Sequence, residues 1–216
     1  SDLGFGAATT GGAGGKIVIA ADSTSIQSAL QSSDAEIILV PEGTYDLRKY
    51  RNAVTEAIAQ NRSWCKKACD DPKGNPTKTF YRAAFEANSC ASLNDNVTIV
   101  TEAENLQRWD RWITTHANKT LVGMGRGANL RGAAIFMRSN EDSKNNIFRN
   151  IAVYDVNPHL VEGMDGLSSV GTSSKYTEKF WADHVSYKWI SDGMDLEYTN
   201  EATVSWLDFD GANEYN

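Results

Sequence analysis

The residues of this 216-residue chain best suited to chemistry are acids on turns. Asp192, Asp195 and Glu197 crowd the segment Ser191-Asp192-Gly193-Met194-Asp195-Leu196-Glu197. Another acid, Asp165, stands in a second Gly turn, Glu162-Gly163-Met164-Asp165-Gly166. Carboxylates gathered this way suit a cation or the recognition of a sugar acid. Ordinary turn chemistry competes with that reading, because Asp beside Gly is favoured in turns on backbone grounds alone. Acids so far apart in sequence act together only if the fold brings their segments side by side.

Three runs supply such a fold: Asn146-Ile147-Phe148-Arg149-Asn150-Ile151-Ala152-Val153, Phe180-Trp181-Ala182-Asp183-His184-Val185-Ser186 and Thr203-Val204-Ser205-Trp206-Leu207-Asp208-Phe209. Each alternates apolar and polar residues at strand length, and each is followed by a polar or Gly-containing turn. They recur at intervals of a few tens of residues, the period of a coil that stacks on itself. Upstream, residues 1–15 read as a Gly-rich loop leading into a strand at Lys16-Ile17-Val18-Ile19, since the Lys-Ser/Thr of a phosphate-binding loop is absent. Residues 23–33 read as a short helix with Ser25 as N-cap and Ile26, Ala29 and Leu30 on one face. Glu36-Ile37-Ile38-Leu39-Val40 reads as a buried strand, and strand periodicity resumes at Asn118-Lys119-Thr120-Leu121-Val122-Gly123 and Ala133-Ala134-Ile135-Phe136-Met137. Between them, residues 46–116 form an inserted, charged region with helix-like patches over 53–59 and 102–114. Its Trp64, Trp109 and Trp112 are expected to build a local core rather than a ligand platform.

A hydrophobic content of 41% supports one folded core, and the whole of 1–216 is expected to be a single domain. The net charge of −7 excludes nucleic acid as a bulk electrostatic partner. No apolar run is long enough to cross a membrane. Cys65, Cys69 and Cys90 fit either buried thiols or one local bridge with a third Cys left over, and fall short of a four-ligand zinc site. Three sequons, at Asn61, Asn96 and Asn118, permit glycosylation. A stacked coil stopping at Asn216 would leave an uncapped apolar end, so the expectation is a piece of a longer protein.

Thr9-Thr10-Gly11-Gly12-Ala13-Gly14-Gly15, Asn118-Lys119-Thr120-Leu121-Val122-Gly123, Asn146-Ile147-Phe148-Arg149-Asn150-Ile151 and Trp181-Ala182-Asp183-His184 together resemble the successive landmarks of the pectate and pectin lyase family. The resemblance runs from residue 4 to 216 and implies an all-β, right-handed parallel β-helix matching the first part of the family's length. It implies β-elimination on α-1,4-linked galacturonan, a secreted monomer (or a piece paired with a missing C-terminal segment), and pectin or polygalacturonate as partner. Within an oxidising compartment, one bridge is expected in the 65–90 region, with the leftover Cys pairing much later.

Two branches of the family meet in this chain. Ile151-Ala152-Val153-Tyr154-Asp155-Val156-Asn157-Pro158 resembles the pectin lyases, which need no metal. Asp192, however, stands where pectin lyases carry Arg and pectate lyases an acidic calcium ligand. The usual second ligand would fall at Leu196, so Asp195 fills that place only if the turn is one residue shorter. Asp165 matches the acidic position of both branches. The resemblance therefore implies a Ca2+ site made of Asp165, Asp192 and Asp195, with calcium-assisted pectate cleavage preferred. A metal-independent pectin lyase and a non-catalytic pectin-binding β-helix are the alternatives. Trp189 is a candidate for stacking on a sugar face, with core packing as the competing reading. The counterpart of His184 is structural. The family's Arg base falls beyond residue 216, and Arg126, Arg131, Arg138 and Arg149 belong to coils too early to replace it.

Overall fold

The computed structural model describes residues 4–48, 111–139, 142–156, 165–190 and 192–212. The three cysteines, the sequons at Asn61 and Asn96, Trp64, Trp109 and the patch over 53–59 lie outside the described residues.

Element order is β1 (Lys16–Ile19), α1 (Ser23–Gln31), β2 (Glu36–Val40), β3 (Gly43–Asp46), β4 (Trp112–Thr114), β5 (Lys119–Gly123), β6 (Ala128–Arg131), β7 (Ala134–Arg138), β8 (Asn146–Tyr154), β9 (Leu167–Val170), β10 (Thr177–Ile190), β11 (Met194–Glu197) and β12 (Thr199–Ala212). Strands join in the order β1-β2-β5-β8-β10-β12, with β3-β6 added beside β8, and in a second sheet β11-β9-β7-β4. Each of these strand pairs is parallel. The expected parallel β-helix is therefore the observed fold: successive coils add parallel strands to the same two sheets, with α1 in the place of a strand beside β4 in the first.

Like residues stack because the register is uninterrupted from coil to coil. Ile38, Leu121, Phe148 and Ala182 form one interior column, and each is fully or almost fully buried. Ala128, Ile151 and Val185 form a second, and Ile113, Ile135 and Leu167 a third on the other sheet. Phe148 and Phe180 pack with ring centres 5.9 Å apart. The first two columns continue into β12 as Val204 and Leu207, and a further one runs from Val153 through Tyr187 to Phe209; Val204 and Phe209 are exposed. One column is polar: Glu36, Lys119 and Asn146 are buried in register, with Lys119 Nζ 3.3 Å from Glu36 Oε2.

Corners are made by single residues in the left-handed region. In β8 and its flanks they are Asn145, Asn150 and Asp155; in β10 they are Lys179, His184 and Trp189; in β12 they include Glu201 and Trp206. They recur at every fifth residue, so a strand run of four separates successive bends. Asn suits such corners because it tolerates this backbone and its amide can hydrogen-bond locally. Asn145 Nδ2 donates to Asn118 Oδ1 at 2.8 Å, and Asn150 Nδ2 donates to the Gly123 carbonyl at 2.7 Å. The long strands therefore turn without breaking pairing, where the sequence reading expected separate short runs.

The N-terminal loop is a strap laid across several coils. Gly6 N donates to Thr203 Oγ1, Gly11 N to Asn145 Oδ1 and Gly12 N to Thr120 Oγ1. At Gly12 a Cβ would sit 1.9 Å from the Glu36 carbonyl oxygen, so only glycine lets the backbone come this close. The helix spans Ser23–Gln31 and buries Ile26, Ala29 and Leu30 as anticipated, but its N-cap is Asp22. Ser25 is the reciprocal partner in a capping box, at N3. The helix-like patch foreseen over 102–114 does not reach its end, because Trp112–Thr114 is β4, paired with β7. Trp112 stacks on Phe136 at 4.6 Å and packs against the core, in keeping with a structural role for its ring.

Candidate functional site

The second sheet carries the acids. Leu167 is fully buried and Met194 packs on the core, so their neighbours Ser168 and Asp195 face the opposite side of β9 and β11. Asp195 is the register partner of Ser168, and Met194 that of Leu167. The turns before these strands are paired too: Gly166 N donates to the Asp192 carbonyl and Leu167 N to the Gly193 carbonyl, both at 3.0 Å. The Asp165-Gly166 and Asp192-Gly193 turns thus stack one upon the other on adjacent coils. Ser168 Oγ donates to Asp165 Oδ2 at 3.3 Å and helps fix that carboxylate.

Asp195 is half-buried, and its carboxyl is held above the ordinary range, first by burial and then by the charges of Glu197 and Asp192. That repulsion shows Asp192 and Asp195 sharing one electrostatic neighbourhood. Among the described residues, no three His, Cys, Asp or Glu side chains come together as a ready-made metal site. The donors are hard oxygens, as calcium prefers.

A second polar cluster surrounds Asp183 on β10. Its carboxylate takes Ser205 Oγ at 2.7 Å, His184 Nδ1 at 3.0 Å and Arg149 Nε at 3.0 Å. Burial opposes the charge, but the bonds from Ser205 and His184, with the charges of His184 and Arg149, hold Asp183 below the usual carboxylate range. His184 stacks on the exposed Trp206 at 5.8 Å. The cluster ties β8, β10 and β12 together, which agrees with a structural His184.

Trp189 lies at the end of β10, half-exposed, and borders a groove of about 410 Å³ with Tyr154, Lys188, Ser186 and Asp208. Asp165, Asp192 and Asp195 do not line that groove. The arginines set aside in the sequence are engaged. Arg126 meets Glu42 at 2.6 Å, Arg131 meets Asp155 at 2.6 Å, and the Arg138 guanidinium rests 3.9 Å from the Trp112 ring centre. Arg138 lies on the acid-bearing sheet, in the row that continues through Val170 to Glu197. Only the register shows this, because the two residues are remote in sequence.

A parallel β-helix with an acid-bearing face is the class that fold and site define. No family model matches the chain. Over 99% of its length it is 25% identical to a probable pectin lyase F-2 of Aspergillus terreus, covering 41% of that protein. It is 24% identical to pectin lyase 1 of Aspergillus oryzae, covering 51%. Among solved structures, a pectate lyase bound to a hexasaccharide matches with a TM-score of 0.62 at 17% identity, over 99% of this chain and 62% of that one. A Bacillus subtilis pectate lyase variant matches with a TM-score of 0.56 at 16% identity, over 97% of this chain and 57% of that one. The chain is similar to the pectin lyases in sequence and to the pectate lyases in fold, and it spans about half the length, or less, of the curated relatives it matches.

Proposed function

We propose that the chain is part of an eliminative lyase of pectic galacturonan, secreted, and that the face carrying Asp165, Asp192 and Asp195 receives the sugar acid. The observation that carries this reading is the stacking of the two Asp-Gly turns on adjacent coils, beside an Asp195 whose charge is disfavoured. β-Elimination removes the C5 proton of a galacturonate, and the electron pair expels the glycosidic oxygen from C4. The neighbouring carboxylate resists this because it must take up enolate charge. A bound calcium would supply positive charge to that carboxylate. Asp192 and Asp195 would hold the ion, and Ser168 keeps Asp165 oriented beside them. The half-buried Asp195 gains most from such a counter-charge. The proton-accepting base is expected to be an Arg beyond residue 216.

A second reading, a metal-independent lyase of methyl-esterified pectin, draws support from the Aspergillus relatives, which carry pectin lyase names. The absence of a three-acid cluster among the described residues favours it too. Absorbance of the unsaturated product separates the two. The full-length protein is assayed on polygalacturonate and on highly methylated pectin, each with calcium and with chelator. Calcium-dependent cleavage of polygalacturonate, slowed by Asp192→Asn, is the expected result. Chelator-indifferent cleavage of esterified pectin replaces it with the second reading. Binding without product on either substrate leaves a non-catalytic pectin-binding helix.

A further inference from the structure

We propose that the outer groove bordered by Trp189 is a second saccharide-binding site, separate from the acid-bearing face, and that it takes methyl-esterified galacturonan. The floor follows from the register. Thr44, Asn129, Ala152, Ser186 and Asp208 are successive partners on β3, β6, β8, β10 and β12. These side chains are short, so they leave a furrow along the coil axis, about 19 Å from first to last at the usual strand spacing. One bank is the parallel row Asp46, Arg131, Tyr154, Lys188 and Asp210. The volume of about 410 Å³ falls in the range of ligand sites.

Trp189 is the recognition element. Its backbone is left-handed, with φ 50, a conformation that a bulky residue rarely adopts and that a Gly or Asn would fill without strain. His184 and Trp206 share this corner backbone, so what marks Trp189 is its place on the groove. The Tyr154 ring meets the indole edge-on at 6.4 Å, and the Lys188 ammonium lies 5.1 Å from the ring centre. These contacts hold the indole while 54% of the residue stays exposed. An aromatic surface beside hydroxyl, amide and carboxylate groups matches the apolar face and hydroxyl rim of a sugar ring.

Charge selects which sugar. Lys188, the cation lining the groove, is taken by Asp210 at 2.7 Å, while Asp208 adds a further carboxylate. Beside the groove, Arg131 is likewise taken by Asp155. The lining is therefore net negative and repels a chain of free carboxylates, whereas methyl esters remove that repulsion. The identity of the chain rests on the pectic reading above; the existence of the site does not.

The test is calorimetric binding to the full-length protein carrying Asp192→Asn, so that cleavage on the acid-bearing face is suppressed. The probes are a short methyl-esterified oligogalacturonide and its unesterified counterpart. The esterified probe should bind, and the free acid should bind about tenfold more weakly or less. Trp189→Ala, and independently Ser186→Tyr, which fills the furrow floor, should each lower affinity for the esterified probe by about tenfold, with circular dichroism unchanged. Absence of binding, equal binding of the free acid, or parental affinity in both variants overturns the site. Intact Trp189-dependent binding, together with no cleavage of either probe by the parental full-length protein that keeps Asp192, would sink the lyase reading and leave this one standing.

Discussion

Lys119→Met tests whether the polar interior column holds the coils in register. Lys119 Nζ lies 3.3 Å from Glu36 Oε2, with side chains 0% and 8% exposed, and also donates to the Asp34 carbonyl. At an effective dielectric near 20, a charge pair at that separation is worth about 332/(20 × 3.3), or about 5 kcal/mol. Desolvation of both ions offsets much of this, so the intact pair adds little net stability. Removing one partner is different. Met keeps most of the side-chain volume, but Glu36 then stays buried without its counter-charge, at a cost of about 3–5 kcal/mol. Urea unfolding of the full-length protein, followed by circular dichroism at neutral pH, reads the change. The double variant Glu36→Gln/Lys119→Met should regain most of the loss, since it leaves no lone ion inside. A parental midpoint for Lys119→Met, or no recovery in the double variant, refutes the reasoning. The titration gives an independent sign. Burial pushes the Lys119 ammonium below its ordinary 10.5, against the pull of Glu36. Between the lowered value and 10.5 the unfolded chain binds more protons, so parental stability should rise with pH there and the variant should lack that rise.

Asp183→Asn should destabilise by about 2 kcal/mol, because it weakens charge-assisted bonds from Ser205, His184 and Arg149. The folded pKa of Asp183 is depressed, so its contribution is present above the unfolded value near 3.9 and lost as pH falls through the folded value. The gap between parent and variant in thermal unfolding should therefore close in acid. Asp195→Asn should behave oppositely: its carboxyl is raised, so ionisation costs stability as pH rises, and the metal-free variant should melt no lower than the parent at neutral pH. Gly12→Ala should cost about 1–3 kcal/mol, since its Cβ meets the Glu36 carbonyl at 1.9 Å. Limited proteolysis should then release the N-terminal strap sooner than in the parent.

The stacked strands were legible because burial of one face imposes alternation within each run, as at Asn146 and Phe148, Ile151 and Val153, Phe180 and Ala182, and Val185 and Tyr187. The bends were not. Asn150 is a recognisable corner residue, but the equivalent corners in β10 and β12 are His184 and Trp206, which carry no turn signal. Reading them as ordinary strand residues shortens β10 and β12 and hides their unbroken pairing. The helix shows a smaller version of the same limit. Asp22 and Ser25 both have capping side chains, and which one is the N-cap depends on where the backbone enters the helix. The strap was legible as a loop only, because the reason for its glycines is the approach of Glu36, Thr120 and Thr203 from remote coils.

Asp165 and Asp192 were legible as neighbours through the repeated Asp-Gly turn, whose backbone pairing the register then fixes. The raised carboxyl of Asp195 follows from a quantity no motif carries, its half-buried place crowded by Glu197 and Asp192. Trp189 illustrates the converse. In sequence it stands three residues before Asp192, close enough to look like part of one site. The five-residue corner spacing separates them: Trp189 closes the run after His184 and borders a furrow on the larger sheet, whereas Asp192 opens the turn into β11 on the other. In a coil, nearness along the chain across a corner divides residues between faces, while residues a full turn apart share one. Chemistry in this fold is therefore read down the columns, where the Asp165-Gly166 turn stacks on the Asp192-Gly193 turn and Ser186 is the register partner of Asp208.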